Sequence, residues 1–290
     1  MIGLIKKGIG GFYYVETEAG LIEAKGRGIF KKDGITLMVG DNVEISIIDE
    51  EAKKGVIESI LPRKNQFIRP PIANVDLFAV VFAPCKPKPN FALIDKFLIM
   101  AQMKAAEAII CINKSDLATE EEIAEIKSIY DSVYTVLEIS AKTGKGIEEL
   151  AHILSGKRAA LAGPSGVGKS TILNSMIPHA NMETGSVSEK TQRGKHTTRH
   201  VEIFDAFGDA KIFDTPGFTS FEILEAEEDN LWMYYPEFEP YGGLCRYDNC
   251  RHLKEPDCKV REAVAEGKIH KLRYASYAAN MEELRKRRKR

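Results

Sequence analysis

The stretch with the clearest chemistry is Gly163-Pro164-Ser165-Gly166-Val167-Gly168-Lys169-Ser170. It satisfies G-x-x-x-x-G-K-[ST] in full. It follows an apolar run that reads as a strand and opens one that reads as a helix, the setting of a phosphate-binding loop. Its glycines let backbone N–H groups converge on a β-phosphate, and the helix N-terminus adds positive potential. Lys169 is then placed for the β- and γ-phosphates and Ser170 for Mg²⁺, with Thr171 next to it in the nucleotide-binding set. Asp214-Thr215-Pro216-Gly217 ends a second strand, Lys211-Ile212-Phe213. There the Asp214 carboxylate can hold Mg²⁺ through water, and the Gly217 amide can meet the γ-phosphate.

A phosphate loop does not choose between ATP and GTP, but Asn113-Lys114-Ser115-Asp116 does. It follows the apolar run ending at Ile112. A carboxylate at Asp116 accepts hydrogen bonds from guanine N1–H and the exocyclic amino group, a donor pair that adenine lacks. Lys114 can lay its stem over the purine, and Asn113 can tie this loop to the phosphate loop. Ser140-Ala141-Lys142 follows the next strand and offers a backbone N–H to guanine O6. A small-molecule kinase is disfavoured by the same tetrapeptide.

Three of the five cysteines fall between positions 245 and 258, as Cys245-x4-Cys250-x-His252-x5-Cys258. Three thiolates and one imidazole make a closed tetrahedral Zn²⁺ site, which is structural and not catalytic. Cys85 and Cys111 lie in or beside apolar strands and read as inert core thiols. Five cysteines in a chain with no secretory pattern at its start do not suggest disulfides, and the cytoplasm is the default.

These residues need a scaffold, and the chain divides into three textures. Residues 1–65 read as short strands at Phe12–Val15, Leu21–Ala24, Val43–Ile47 and Val56–Ile60, punctuated by glycines. A small β-barrel closes so many edges. The oligonucleotide-binding (OB) type is the assignment, with an SH3-like barrel as the alternative. Arg63–Pro71 reads as a linker. Residues 66–222 alternate strand and helix, which gives an α/β domain with a mostly parallel sheet and ligands at the carboxyl ends of its strands. The strands are Val75–Phe82, Ala108–Ile112, Val133–Ile139, Arg158–Ala162, Val201–Phe207 and Ala210–Phe213. The helices are Phe91–Lys104, Glu120–Tyr130, Ile147–Leu154 and Lys169–Met176. Residues 223–290 hold the metal cluster and a long charged helical stretch from Val260 onward. There Trp232, Tyr234, Tyr235 and Phe238 read as a small core in preference to a surface for stacking RNA bases.

Composition sets the outer limits. With 44% hydrophobic and 29% charged residues, the 290-residue chain can build real cores and is not mainly disordered. No apolar run is long enough to span a membrane. The net charge of −1 argues against a wholly basic nucleic-acid coat. Arg285 to Arg290 are nevertheless all basic, which suits phosphate contacts or a solvated helix end.

The four nucleotide motifs, NKSD, SAK, GPSGVGKS and DTPG, are those of Ras-like and TRAFAC GTPases, but the base-reading pair precedes the phosphate loop. The chain therefore resembles a circularly permuted GTPase. With a small barrel before it and a Cys/His cluster after it, it resembles the ribosome small-subunit-dependent GTPase A family along essentially its whole length. The resemblance implies a late-acting assembly GTPase of the small ribosomal subunit, stimulated by that subunit and bound to its rRNA. Mg²⁺ would be bound with GTP and one Zn²⁺ held structurally, in a cytoplasmic monomer with no membrane partner. A regulatory GTPase of some other protein or membrane, or a nucleotide-binding adaptor without turnover, are the competing expectations.

Between the phosphate loop and DTPG, one threonine is expected to ligate Mg²⁺ and sense the γ-phosphate. Thr198 is preferred and Thr197 is next. Phe218 follows DTPG where Ras-type enzymes place a water-orienting glutamine nearby. His196 is the local candidate for that work, and the resembled family suggests the same position. The segment after DTPG, which follows the γ-phosphate in GTPases, runs into the third region. Nucleotide state is therefore expected to reposition residues 223–290.

Overall fold

A computed structural model describes residues 1–68, 70–177, 201–214 and 226–288. The chain forms two compact units: Met1–Phe78 with Glu149–Leu161 and Leu173–Phe218, and Ala79–Glu148 with Ala162–Ile172 and Thr219–Arg290.

In the first unit, β1 (Ile2–Ile9), β2 (Phe12–Thr17), β3 (Gly20–Gly26), β4 (Asn42–Asp49) and β5 (Lys54–Ile60) pair in the order β1-β2-β3-β5-β4, and β1 pairs with β4 to close the ring. The β3–β5 pair is parallel and the others are antiparallel. This is a five-stranded OB-type barrel. The short helix α1 (Gly28–Lys32), between β3 and β4, buries Phe30. β1 is absent from the sequence reading because Lys6, Lys7 and two glycines interrupt its apolar residues. Its Ile5 is nonetheless wholly buried.

The expected linker at 63–71 is a correction. Gln66–Phe67 (β6) pairs with Ile72–Ala73 (β7), and Arg63 is bolted to buried Asp41 through Nε (2.7 Å) and Nη2 (2.9 Å). The same unit contains β11 (Arg158–Ala162), β12 (Glu202–Asp205) and β13 (Lys211–Asp214). β13 lies between the other two, parallel to β11, and β12 pairs with β1 at Lys7↔Glu202. Arg158 donates to Gly40 O and Asn42 Oδ1, which ties β11 to the barrel. Helix α4 (Ile147–Leu154) packs Leu150 and Leu154 inward.

In the second unit, β8 (Leu77–Phe82), β9 (Glu107–Ile112) and β10 (Thr135–Glu138) lie in the order β10-β9-β8. All six residues of β8 are buried, as a strand covered on both faces requires. Helix α2 (Phe91–Met103) starts at Asn90, whose side chain accepts from Leu93 N. Helix α3 (Glu120–Tyr130) starts with a reciprocal capping box between Thr119 and Glu122. The loop from 163 to 168 leads into α5 (Lys169–Met176).

Residues 226–288 form a compact helical segment. After a short α6 (Glu239–Gly242), the helical stretch expected from Val260 is two helices, α7 (Lys259–Ala265) and α8 (Lys271–Arg288). Gly267, at φ +77°, takes the left-handed turn that ends the first. Tyr235 and Phe238 are fully buried with Tyr277 and Met281, so these aromatics are core, while Trp232 and Tyr234 are half-buried against it. Among the described residues, no helix is long and apolar enough to cross a membrane.

Candidate nucleotide-binding and metal sites

All three loops singled out for phosphate and base lie in the second unit and meet at one side chain. Asn113, at the end of β9, is buried. Its Nδ2 donates to Val167 O in the phosphate loop at 2.8 Å, and its Oδ1 accepts from Ala141 N at 3.1 Å. A single amide thus sets the spacing of three loops that are far apart in sequence.

The phosphate loop depends on glycine at two places. Gly163 has φ +139°, and a Cβ there would lie 2.0 Å from Val81 O. Gly168 has φ +95°, and a Cβ there would lie 2.4 Å from Asn113 Nδ2. Only a residue without Cβ lets the loop wrap this tightly. Val167 is buried, whereas Ser165, Gly166 and Ser170 are exposed and Pro164 is half-buried. Lys169 Nζ donates to Gly163 O (2.7 Å) and Pro164 O (2.8 Å), spanning the loop from inside. Burial pushes its ammonium down to about 8. An anion in the loop would offset that desolvation. Thr171 follows Ser170 on the first turn of α5.

Lys114 sits in the left-handed region at φ +63°. Its Nζ donates to Gly166 O (2.6 Å) and Lys86 O (2.8 Å), which lays the aliphatic stem across the phosphate loop. Lys86 is a partner that the sequence did not disclose, because a backbone carbonyl leaves no mark on residue type. Asp116 is exposed, and its Oδ1 accepts from buried Ser140 Oγ at 2.7 Å. Among the described residues its other oxygen has no hydrogen bond, so one carboxylate edge is left open outward. Ser140 O and Oγ accept from Gly144 N (2.9 Å) and Thr143 N (3.3 Å), which makes a tight turn with Ala141 and exposed Lys142 on its outside. The arrangement offers backbone donors and one cation for phosphate, a long aliphatic stem for a purine face, and a carboxylate for a donor pair.

Asp214 closes β13 in the first unit, opposite Glu202. His196, Thr197, Thr198, Gly217 and Phe218 lie outside the described residues.

The Cys/His cluster assembles as a separate centre. Cys245, Cys250, His252 and Cys258 bring their ligand atoms within 4.8 Å of one another. Cys245 Sγ lies 3.9 Å from Cys258 Sγ, and both lie 3.5 Å from His252 Nδ1. A tetrahedron with Zn–S of about 2.3 Å and Zn–N of about 2.05 Å has edges of about 3.8 Å (S–S) and about 3.6 Å (S–N). The residues therefore fit zinc, through Nδ1 of the imidazole. His252 Nε2 is buried without a partner, and Trp232 meets the ring edge-on at 5.4 Å. Burial pushes the Cys250 thiol up to about 12, so a metal would have to displace its proton. Cys111 is fully buried and its thiol is raised by desolvation, as an inert core residue should be.

With this geometry in view, similarity to known proteins is extensive. The RsgA N-terminal domain family matches residues 2–57, and the RsgA GTPase family matches residues 60–224. The chain is 48% identical over 301 residues to the small ribosomal subunit biogenesis GTPase RsgA of Agathobacter rectalis, covering 100% of both. It is 48% identical over 289 residues to the protein of that name from Clostridium perfringens (strain 13 / Type A), covering 99% of each. Among solved structures it resembles YjeQ from Thermotoga maritima, at 36% identity with a TM-score of 0.84 over 98% of each chain. It also resembles YloQ, a circularly permuted GTPase, at 34% identity with a TM-score of 0.80, over 99% of this chain and 95% of that one.

Proposed function

This chain belongs to the RsgA GTPase family and is a GTPase of ribosome biogenesis, and from that premise we propose that it hydrolyses GTP as a switch while bound to the small ribosomal subunit and its rRNA. The observation that carries the site assignment is the double tie of Asn113, which brings the phosphate loop and both base loops to one place. In this reading Asp116 reads the guanine donor pair, the Ala141 and Lys142 backbone lies toward guanine O6, and Lys114 covers the purine face. Residues 163–171 hold the phosphates, and Lys169 exchanges its two carbonyl acceptors for phosphate oxygens.

Mg²⁺ would be held by Ser170 and Thr198, with Asp214 behind water, and would neutralise charge building on the β–γ bridge. Hydrolysis adds water to the γ-phosphorus and breaks its bond to the bridging oxygen, leaving GDP and phosphate. Gly217 donates to the γ-phosphate, and His196 orients the water. Cys245, Cys250, His252 and Cys258 would hold a zinc ion, which would supply a structural cross-link within the C-terminal segment and no chemistry to hydrolysis. The chain works as a cytoplasmic monomer with three domains, at 1–65, 66–222 and 223–290.

The test is phosphate release from GTP with and without purified small subunits. Stimulation by the subunit is expected, and it should be lost in His196→Ala with GTP affinity unchanged, because alignment of the nucleophile is what that residue supplies. Turnover indifferent to subunits would overturn the reading. A parental stimulated rate in His196→Ala would move the water-orienting role elsewhere.

A further inference from the structure

Arg273, on the first turn of α8, is fully buried, and nothing in the nucleotide or metal chemistry uses it. Its Nε and Nη2 donate to the two oxygens of Glu237, at 2.6 and 3.1 Å. Its Nη1 donates to Asp95 Oδ1 on α2, which also accepts from Tyr130 Oη at 3.1 Å. The guanidinium carbon lies 5.2 Å from the ring centre of Tyr130, 5.8 Å from that of Tyr134 and 4.8 Å from that of Tyr235.

The positions of those tyrosines matter. Tyr130 is the last residue of α3, the helix that follows Asn113–Asp116. Tyr134 directly precedes β10, the strand that leads to Ser140–Lys142. One cation from the C-terminal segment therefore touches the far ends of both elements that carry the base loops.

Apolar packing joins the same parts. Ile99 of α2 shares a core with Tyr235, Phe238, Tyr277 and Met281, and Asn280 donates to Tyr235 Oη (3.0 Å). Lys96 pairs with Glu283 at 2.5 Å. Hydrophobic contact is non-directional, whereas a forked guanidinium between two carboxylates accepts one orientation. A buried charge set of this kind adds little net stability, and fixing one arrangement is its best-attested use.

We infer that residues 226–288 and the loops at 113–116 and 140–142 move as one body, with Arg273 as the positioning residue that fixes their relation. The C-terminal segment is then a handle and not a lever. A partner that grips it grips the base-reading loops, and nucleotide state does not swing it against them. This opposes the expectation, drawn from connectivity, that the nucleotide repositions this segment, and the two differ in what they expect of one distance.

The test places spin labels, attached through bio-orthogonal amino acids, at exposed Glu125 on α3 and exposed Lys254 beside the metal cluster, in the full zinc-loaded chain. Pulsed-resonance distances should give one narrow distribution, the same with GDP and with a non-hydrolysable GTP analogue. A nucleotide-dependent shift larger than the width of that distribution overturns the single body. Arg273→Met should broaden the distribution while GDP affinity stays within about twofold, since the residue touches no loop directly. Because Arg273→Met strands two buried carboxylates, Arg273→Met/Asp95→Leu/Glu237→Leu removes the whole charge set and should keep the melting temperature. A broadened distance in that folded triple variant supports the positioning role. An unchanged narrow distance there refutes it.

Discussion

Gly168 and Asn113 should be energetically coupled, and the sign of the coupling follows from one distance. Gly168→Ala places a methyl 2.4 Å from Asn113 Nδ2, at a residue whose φ is +95°. Holding alanine in that backbone region costs about 1–3 kcal/mol. Relieving the clash displaces the Asn113 amide and gives up its bonds to Val167 O and Ala141 N, each worth about 1 kcal/mol net and up to about 3 if the partner is left dry. Gly168→Ala should therefore cost about 3–7 kcal/mol in all. Asn113→Ala loses the same two bonds without backbone strain and should cost about 2–4 kcal/mol. In the double variant the methyl no longer meets an amide, so only the strain adds. The double cost should fall short of the sum by about 2–4 kcal/mol, the loss of the two amide bonds that both single variants share, well outside the scatter of independent sites. Calorimetric titration with GDP, on proteins whose melting curves show them folded, reads the part that appears in affinity, at about 1.4 kcal/mol per tenfold. A chemical denaturation series without nucleotide reads the remainder. If the combined costs of the two single variants simply add, Asn113 is not what spaces the loops.

Asp116→Asn should weaken GTP and favour XTP, because xanthine replaces the amino donor with an acceptor; competition between the two nucleotides checks it, and equal GTP affinity in parent and variant would remove Asp116 from base reading. Lys169 gives a pH signature: its ammonium is depressed to about 8 before phosphate arrives, and only the protonated form attracts phosphate, so affinity falls as pH rises. Between pH 7 and 8.5 the charged fraction falls about fourfold, and GDP affinity should fall with it; a flat profile across that range contradicts the assignment. Cys250→Ser should reduce zinc content in metal analysis and lower hydrogen-exchange protection across 226–288. Because Ile99 shares that core, protection should also drop in α2; loss confined to 245–258 would show that the metal holds only its own loop.

Much of this molecule is legible in residue type and spacing because its chemistry is local. GPSGVGKS, NKSD and SAK each lie within one turn, so their glycines, caps and carboxylates appear in the right order without tertiary information. The strands and helices from Val75 to Met176 are equally plain, since a strand buried on both faces reads as an unbroken apolar run and α2 and α3 start at capping side chains. The sequence also reveals the permutation, because motif order is a one-dimensional property. Tertiary structure decided what depends on partners far along the chain. The barrel type rests on β3 pairing with β5 and β1 with β4, and neither pairing leaves a trace in alternation. β1 itself is hidden by lysines whose partners come from distant strands, such as Asp205 for Lys6 and Glu202 for Lys7. His252 turns Nδ1 toward the thiols, which no spacing rule specifies. Arg273 looks like one more basic residue in a charged helix until Asp95 and Glu237, 178 and 36 positions away, close around it. Buried charge is specified by three-dimensional neighbours, and those exist only once the chain has folded.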